Sequence, residues 1–82
     1  MITHVAIKYQ GKLYSLPKPN RHHHIFHQIY LETGQSVEDC QQGFLDDTGC
    51  FLDRAVALIH AGDCNQLIRA ATDDWLYSEN VW

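Results

Sequence analysis

The spacing of apolar residues changes several times along this 82-residue chain, and each change marks an element. Residues 2–9 alternate with period two. Thr3, Val5, Ile7 and Tyr9 fall on one side, and Ile2, His4 and Ala6 on the other. After Gln10-Gly11 comes a second β-rich run, Lys12-Leu13-Tyr14-Ser15-Leu16. Two short strands around a glycine-containing dipeptide predict a hairpin over 2–16. Pro17 and Pro19 then end the second strand, because proline has no N–H to give to a ladder. The period next lengthens. Ile25, Phe26, Ile29 and Tyr30 recur at three- and four-residue steps, and His22 shares their face. This predicts a helix over 21–33, with Asn20 as its N-cap and Gly34 in the left-handed position that ends it.

Ser36-Val37-Glu38-Asp39 has the form of a capping box and predicts a single turn near 37–41. Two apolar segments, Gly43-Phe44-Leu45 and Cys50-Phe51-Leu52, flank Asp46-Asp47-Thr48-Gly49, which predicts a second hairpin over 42–52. Asp53 is positioned to cap a second helix over 54–61, with Gly62 as its terminator and a possible extension to 71. Its apolar residues are Ala55, Val56, Leu58, Ile59 and Ala61. The remainder, 73–82, is an irregular apolar tail. The order is ββαββα, and hairpin-then-helix occurs twice in pattern though not in residue identity. The expected fold class is therefore α+β: one small domain over 1–82 in which antiparallel hairpins pack with two helices.

Size limits the core. A chain this short buries only about 60–65% of its unfolded surface. Cys40, Cys50 and Cys64 are odd in number and unpaired by spacing, which argues against a disulfide framework and fits a reducing cytoplasm. No apolar run is long enough to span a membrane and no leader pattern opens the chain, so neither secretion nor membrane insertion is expected. Trp75, Leu76, Tyr77, Val81 and Trp82 crowd the tail. Such a tail either folds back over the core or packs on a second copy, and a homodimer or higher homo-oligomer is the expected assembly.

Charge adds a further feature. The net charge is -4, yet the first 31 residues contain no carboxylate. They hold Lys8, Lys12, Lys18, Arg21 and five of the six histidines, while all ten acids lie from Glu32 onward. This asymmetry points to a local anion site or to a face that docks on an acidic partner. Six basic residues against ten acids argue against DNA as the ligand.

Three segments together resemble a known group: Asn-Arg-His-His-His-Ile at 20–25, Gln-Gly-Phe-Leu-Asp-Asp-Thr-Gly-Cys-Phe-Leu-Asp-Arg at 42–54, and Leu-Tyr-Ser-Glu-Asn-Val-Trp at 76–82. The chain resembles a family of small proteins encoded by phages and prophages. Members pair an Arg-His-His helix start with a Gly-Phe-Leu…Phe-Leu-x-Arg hairpin–helix and a Leu-Tyr-Ser-Glu-x-x-Trp ending. This chain departs from the pattern at Cys50, where a basic residue is expected, and at Ala55-Val56, where an acidic one is usual. The motifs imply no established chemistry. What the resemblance does imply is a phage accessory role, with anti-defence action by binding as the expectation.

The residues themselves offer several chemistries. Arg21, His22, His23 and His24 open the first helix, where free N–H groups and the helix dipole favour an anion. The dipole also disfavours imidazolium, so neutral imidazoles would donate the hydrogen bonds. Packing of His22 in the core, with the others solvated, is the competing reading. His23 or His24 with His27 has zinc-ligand spacing on a helix, but no glutamate follows the first histidine and no Cys pair helps, so no metal is expected. The three thiols read as small buried hydrophobes, and Asp46-Asp47-Thr48-Gly49 as a turn. Arg54 opposes the dipole of the second helix and needs compensation, from a carboxylate such as Asp46 or Asp47 or from a bound anion. Trp75 and Tyr77 are the aromatics best suited to stack on a base, with packing or dimerisation as the alternative.

The function expected from these features is sequestration. Arg21, His22, His23, His24 and Arg54 would hold the phosphates of a nucleotide-like host immune signal, and Trp75 or Tyr77 would cover its base, in the cytoplasm of the host bacterium. No catalytic group and no cofactor is expected. Two alternatives stand beside it. One is a protein-binding inhibitor of a host defence protein that uses Glu38, Asp39, Asp46, Asp47, Asp73 and Asp74. The other is a small nucleotide-cleaving enzyme that uses the His cluster as acid and base.

Overall fold

A β-rich first strand that pairs on both sides gives the fold its frame. The computed structural model describes residues 1–37, 39–70 and 74–82. Within them β1 (Ile2–Tyr9), β2 (Lys12–Pro17), β3 (Gln41–Asp46) and β4 (Phe51–Asp53) form one antiparallel sheet in the order β2-β1-β3-β4. Helix α1 (His22–Thr33) follows the first hairpin and α2 (Arg54–Asp63) the second. The chain is thus α+β with the ββαββα order. The first strand of each hairpin lies at the sheet centre, and each helix packs mainly on its own hairpin. This is the arrangement expected of two similar halves related by a rough two-fold axis.

Local chemistry explains the turns. Gln10 and Gly11 both take positive φ (51° and 75°), the geometry that lets a two-residue hairpin match strand twist. Asp46 builds the second turn: its Oδ1 accepts from the Thr48 N–H, the Thr48 hydroxyl and the Cys50 N–H. Gly34, at φ 74°, ends α1 and donates its N–H to the Tyr30 carbonyl.

The core lies between one sheet face and the two helices. Val5, Ile7, Tyr9, Tyr14 and Phe44 come from the sheet, Ile25 and Ile29 from α1, and Ala57 and Ala61 from α2. Ile2 joins them although simple alternation puts it on the opposite side, because the β1–β3 register shifts between Ile2 and His4. Its backbone is held by the Gln66 side chain, whose amide both donates to the Ile2 carbonyl and accepts from the Ile2 N–H at 2.7 Å. In α1 the buried stripe is His22, Ile25 and Ile29, and Tyr30 is exposed. In α2 the small residues face inward, and Val56 and Ile59 stay exposed.

Several sequence expectations need correction. Asn20 is not the N-cap of α1. Arg21 holds that position, with its N–H donating to His24 Nδ1 at 2.8 Å, while the Asn20 amide turns back to the Pro17 carbonyl. Gly62 does not end α2. The helix runs to Asp63, and the left-handed residue is Asn65 at φ 54°. Gln66 N–H bonds to the Ala61 carbonyl and Asn65 N–H to that of Gly62, which is a Schellman ending centred on Asn65. Residues 66–70 do not extend the helix, because Gln66 is drawn to Ile2 and the Ile68 N–H to the Asn80 carbonyl. The turn near 37–41 includes Glu38, which lies outside the described residues, and Gln41 already belongs to β3. Ala71 and Asp73, part of the possible extension and of the tail, also lie outside them.

The tail folds back on its own core. Leu76 and Val81 are buried in it, and Ser78–Asn80 form a short 3-10 turn. Trp82 meets the Phe44 ring edge-on at 6.4 Å and donates its indole N–H to the Asn20 carbonyl at 2.9 Å.

Two glycines should respond oppositely to alanine. At Gly43 an added Cβ would meet the Leu52 carbonyl oxygen and, at 2.6 Å, the Phe51 ring. Gly43→Ala should lower unfolding free energy by about 1–3 kcal/mol in a denaturant titration, as overpacking does. At Gly62 a Cβ meets nothing within 4 Å on helical backbone. Gly62→Ala should therefore raise stability by about 0.5–1 kcal/mol; a loss instead would mean that Gly62 serves as a left-handed terminator after all.

Candidate functional site

Among the described residues, a concave site that holds Arg54 and two aromatic rings lies where the start of α2, the start of β3 and the tail meet. Cys40, Gln41, Gln42, Asp53, Arg54, Ala55, Trp75 and Tyr77 line an open cleft of about 600 Å³. Asp53 sits here because it caps α2, accepting from the Val56 N–H at 2.8 Å. Arg54 follows as the first helical residue. Its guanidinium donates to the Leu76 carbonyl at 3.1 Å and to the Gln42 side-chain oxygen, and it stacks over the Tyr77 ring at 4.9 Å. The Leu76 N–H returns a bond to the Arg54 carbonyl at 3.0 Å, so the tail and α2 are tied together at this point. Asp46 and Asp47, the expected partners of Arg54, are engaged elsewhere: Asp46 by Thr48 and Cys50, Asp47 by the Met1 ammonium at 3.4 Å.

The aromatics form the outer wall. Trp75 is 51% exposed and Tyr77 41%. Cys40 contributes a thiol whose pKa is raised, by burial first and by neighbouring Asp39 second. A thiol held protonated is a poor nucleophile. The sheet-turn carboxylate Asp46 is held below the usual range chiefly by the Thr48 hydroxyl, which fits a turn-forming role.

The residues singled out in the sequence divide into three places. Arg54, Trp75 and Tyr77 share the cleft. Arg21 and His22 do not line it, but each bonds to a residue adjacent in sequence to a lining one. Arg21 donates to the Ser78 hydroxyl at 3.1 Å, one residue beyond Tyr77. His22 is 7% exposed, meets the Phe44 ring edge-on and bonds through Nε2 to the Gly43 carbonyl at 2.8 Å. A carbonyl only accepts, so Nε2 carries the proton. His23 and His24 are exposed, with ring centroids 4.1 Å apart, and do not line the cleft. Among the described residues no group of three or more His, Cys, Asp or Glu is placed to hold a metal ion. Gln42 is the residue the sequence reading missed. Its visible signal was a pair of polar side chains, Gln41 and Gln42, leading into the Gly43-Phe44-Leu45 segment of β3.

A family model described as Phage T4 y16D protein matches the chain over residues 1–82. The chain belongs to that family. The match spans all three segments on which the phage resemblance rests. No curated protein and no solved structure matches the chain. Among the described residues no helix is long and apolar enough to cross a membrane.

His22 links the core to pH. Burial, reinforced by the nearby Arg54 charge, lowers its pKa, while the Gly43 bond and Glu79 act the other way. The unfolded chain therefore takes up a proton at His22 as pH falls through about 6.5, before the folded protein does. Stability from this group is complete above that pH and declines below it. A melt series from roughly pH 7.5 to 5 should show this decline. His22→Gln, which keeps a donor for Gly43 without a titrating ring, should make the same series flatter; parallel curves would rule out His22 as the source.

Proposed function

We propose that this protein is a phage accessory protein that binds and sequesters a nucleotide-like anionic host signal, acting against host defence in the cytoplasm of the infected cell. The observation that carries this reading is the grouping of one fixed guanidinium, Arg54, with two exposed aromatic rings, Trp75 and Tyr77, on a single cleft. The base would stack on Trp75, since every base has a π-face. The phosphate would meet Arg54, whose planar fork suits it. Gln41 and Gln42 offer uncharged hydrogen-bonding groups on the wall. Arg21 and His22 hold Ser78 and Gly43, the neighbours in sequence of Tyr77 and Gln42.

Sequestration also suits the thiol in the cleft and the buried imidazole outside its lining. That thiol is held protonated, and His22 is committed to Gly43. Neither is set up as a nucleophile or a general base. A rigid site that binds the ground state needs no complementarity to a transition state.

A melt panel of cyclic dinucleotides, cyclic oligonucleotides and ADP-ribose isomers tests the proposal. A ligand at about 100 times its Kd should add ~2.7 kcal/mol, a rise of roughly 10–20 °C for a domain this size. Trp75→Ala should weaken that ligand by about fivefold to a hundredfold. Chromatography of heat-released ligand should return it intact. Cleaved ligand would replace sequestration with hydrolysis, and no shift with any member would remove the small-molecule reading.

A further inference from the structure

Outside the cleft, three lone-pair atoms from distant parts of the chain meet at one point. His60 and Cys64 lie four residues apart at the end of α2 and so share a helix face, with Nε2 and Sγ 3.7 Å apart. The Met1 amine lies 3.1 Å from the same Nε2, and Asp47 Oδ1 lies 3.4 Å from the amine. The fold fixes this meeting. The Asp47 N–H donates to the Met1 carbonyl at 2.9 Å, and Gln66, just past α2, grips both backbone groups of Ile2. The start of β1 is thereby held against the end of α2.

We propose that the Met1 amine, His60 Nε2 and Cys64 Sγ bind a borderline-soft divalent cation, with zinc as the best fit and water in the fourth position. The amine takes the place of a third ligating side chain. A ring nitrogen offers one proton or one lone pair, yet Nε2 has two polar neighbours here, and an ion between the three atoms serves all of them. In a tetrahedral zinc site, bonds of about 2.0–2.1 Å to nitrogen and 2.3 Å to sulfur put ligand atoms roughly 3.3–3.6 Å apart. The separations of 3.1 and 3.7 Å bracket that range. The local field also favours a cation: desolvation acts to lower the amine's pKa, but Asp47 and then Cys64 raise it overall. Binding releases the thiol proton and one ammonium proton to solvent. Magnesium and calcium prefer oxygen ligands and should not compete. The site shares no residue with the cleft, so it stands or falls apart from nucleotide binding.

Cobalt(II) is the coloured probe for such a site. Titrated into the reduced, untagged chain, it should give a sulfur-to-cobalt charge-transfer band in the near ultraviolet that zinc removes and magnesium does not. Cys64→Ser should abolish the band, while Cys50→Ser, a change at the other exposed thiol, should keep it. His60→Gln and acetylation of the Met1 amine should each weaken cobalt by about tenfold or more, since even outer partners of a metal site cost that much. Melts without metal check that each variant is folded, which exposure of both thiols leads one to expect. A band that survives Cys64→Ser, or an affinity that acetylation leaves unchanged, would overturn this ligand set. Absence of the band in the parent chain would remove the site altogether.

Discussion

The structure depends on how closely its parts meet at Gly43. With no Cβ at this position, the Phe51 ring and the Leu52 backbone can close over β3. Its carbonyl takes the imidazole of His22, which binds α1 to the middle of the sheet. On one side of Gly43 is Gln42, which holds Arg54. On the other is Phe44, which packs against both His22 and Trp82. Both helices, the short fourth strand and the tail are thus referred to one backbone position. A domain with so thin a core cannot spread its stability over many equivalent contacts.

The features that were legible in the sequence are those with a local cause. A two-residue turn needs left-handed backbone, so Gln10-Gly11 marked its hairpin. Asp46 with Thr48 and Gly49 marked the second, and Gly34 marked the end of α1. Where a distant group intervened, the sequence misled. Gly62 resembles a terminator, but the end of α2 is set by Asn65 and by Gln66, which reaches 64 residues back to Ile2. Asn20 resembles a cap, but Pro17 and Trp82 claim it. Compensation of Arg54 came partly from a ring, a carbonyl and an amide, none of which a charge count can reveal.

The candidate site shows the same division. Consecutive helical residues point about 100° apart, so His22, His23 and His24 cannot serve one pocket merely by being neighbours. The periodicity placed His22 on the apolar face, where it lies. Arg54, Trp75 and Tyr77 are separated by some twenty residues in sequence, and only the return of the tail across α2 brings them together. Their meeting is a tertiary event. No residue spacing records it, although the aromatic content of the tail was a sound pointer.

The return of the tail also bears on the protein's birth. Leu76 and Val81 are core residues, and Trp82 covers the edge of Phe44. A growing chain on the ribosome carries both hairpins and both helices before any of these side chains has emerged. During that interval Phe44 and the α1–sheet seam lack their cover, so the domain cannot close progressively from its first residue onward. The core is complete only once Leu76, Val81 and Trp82 have joined it, so the residues made last close the packing begun by those made first.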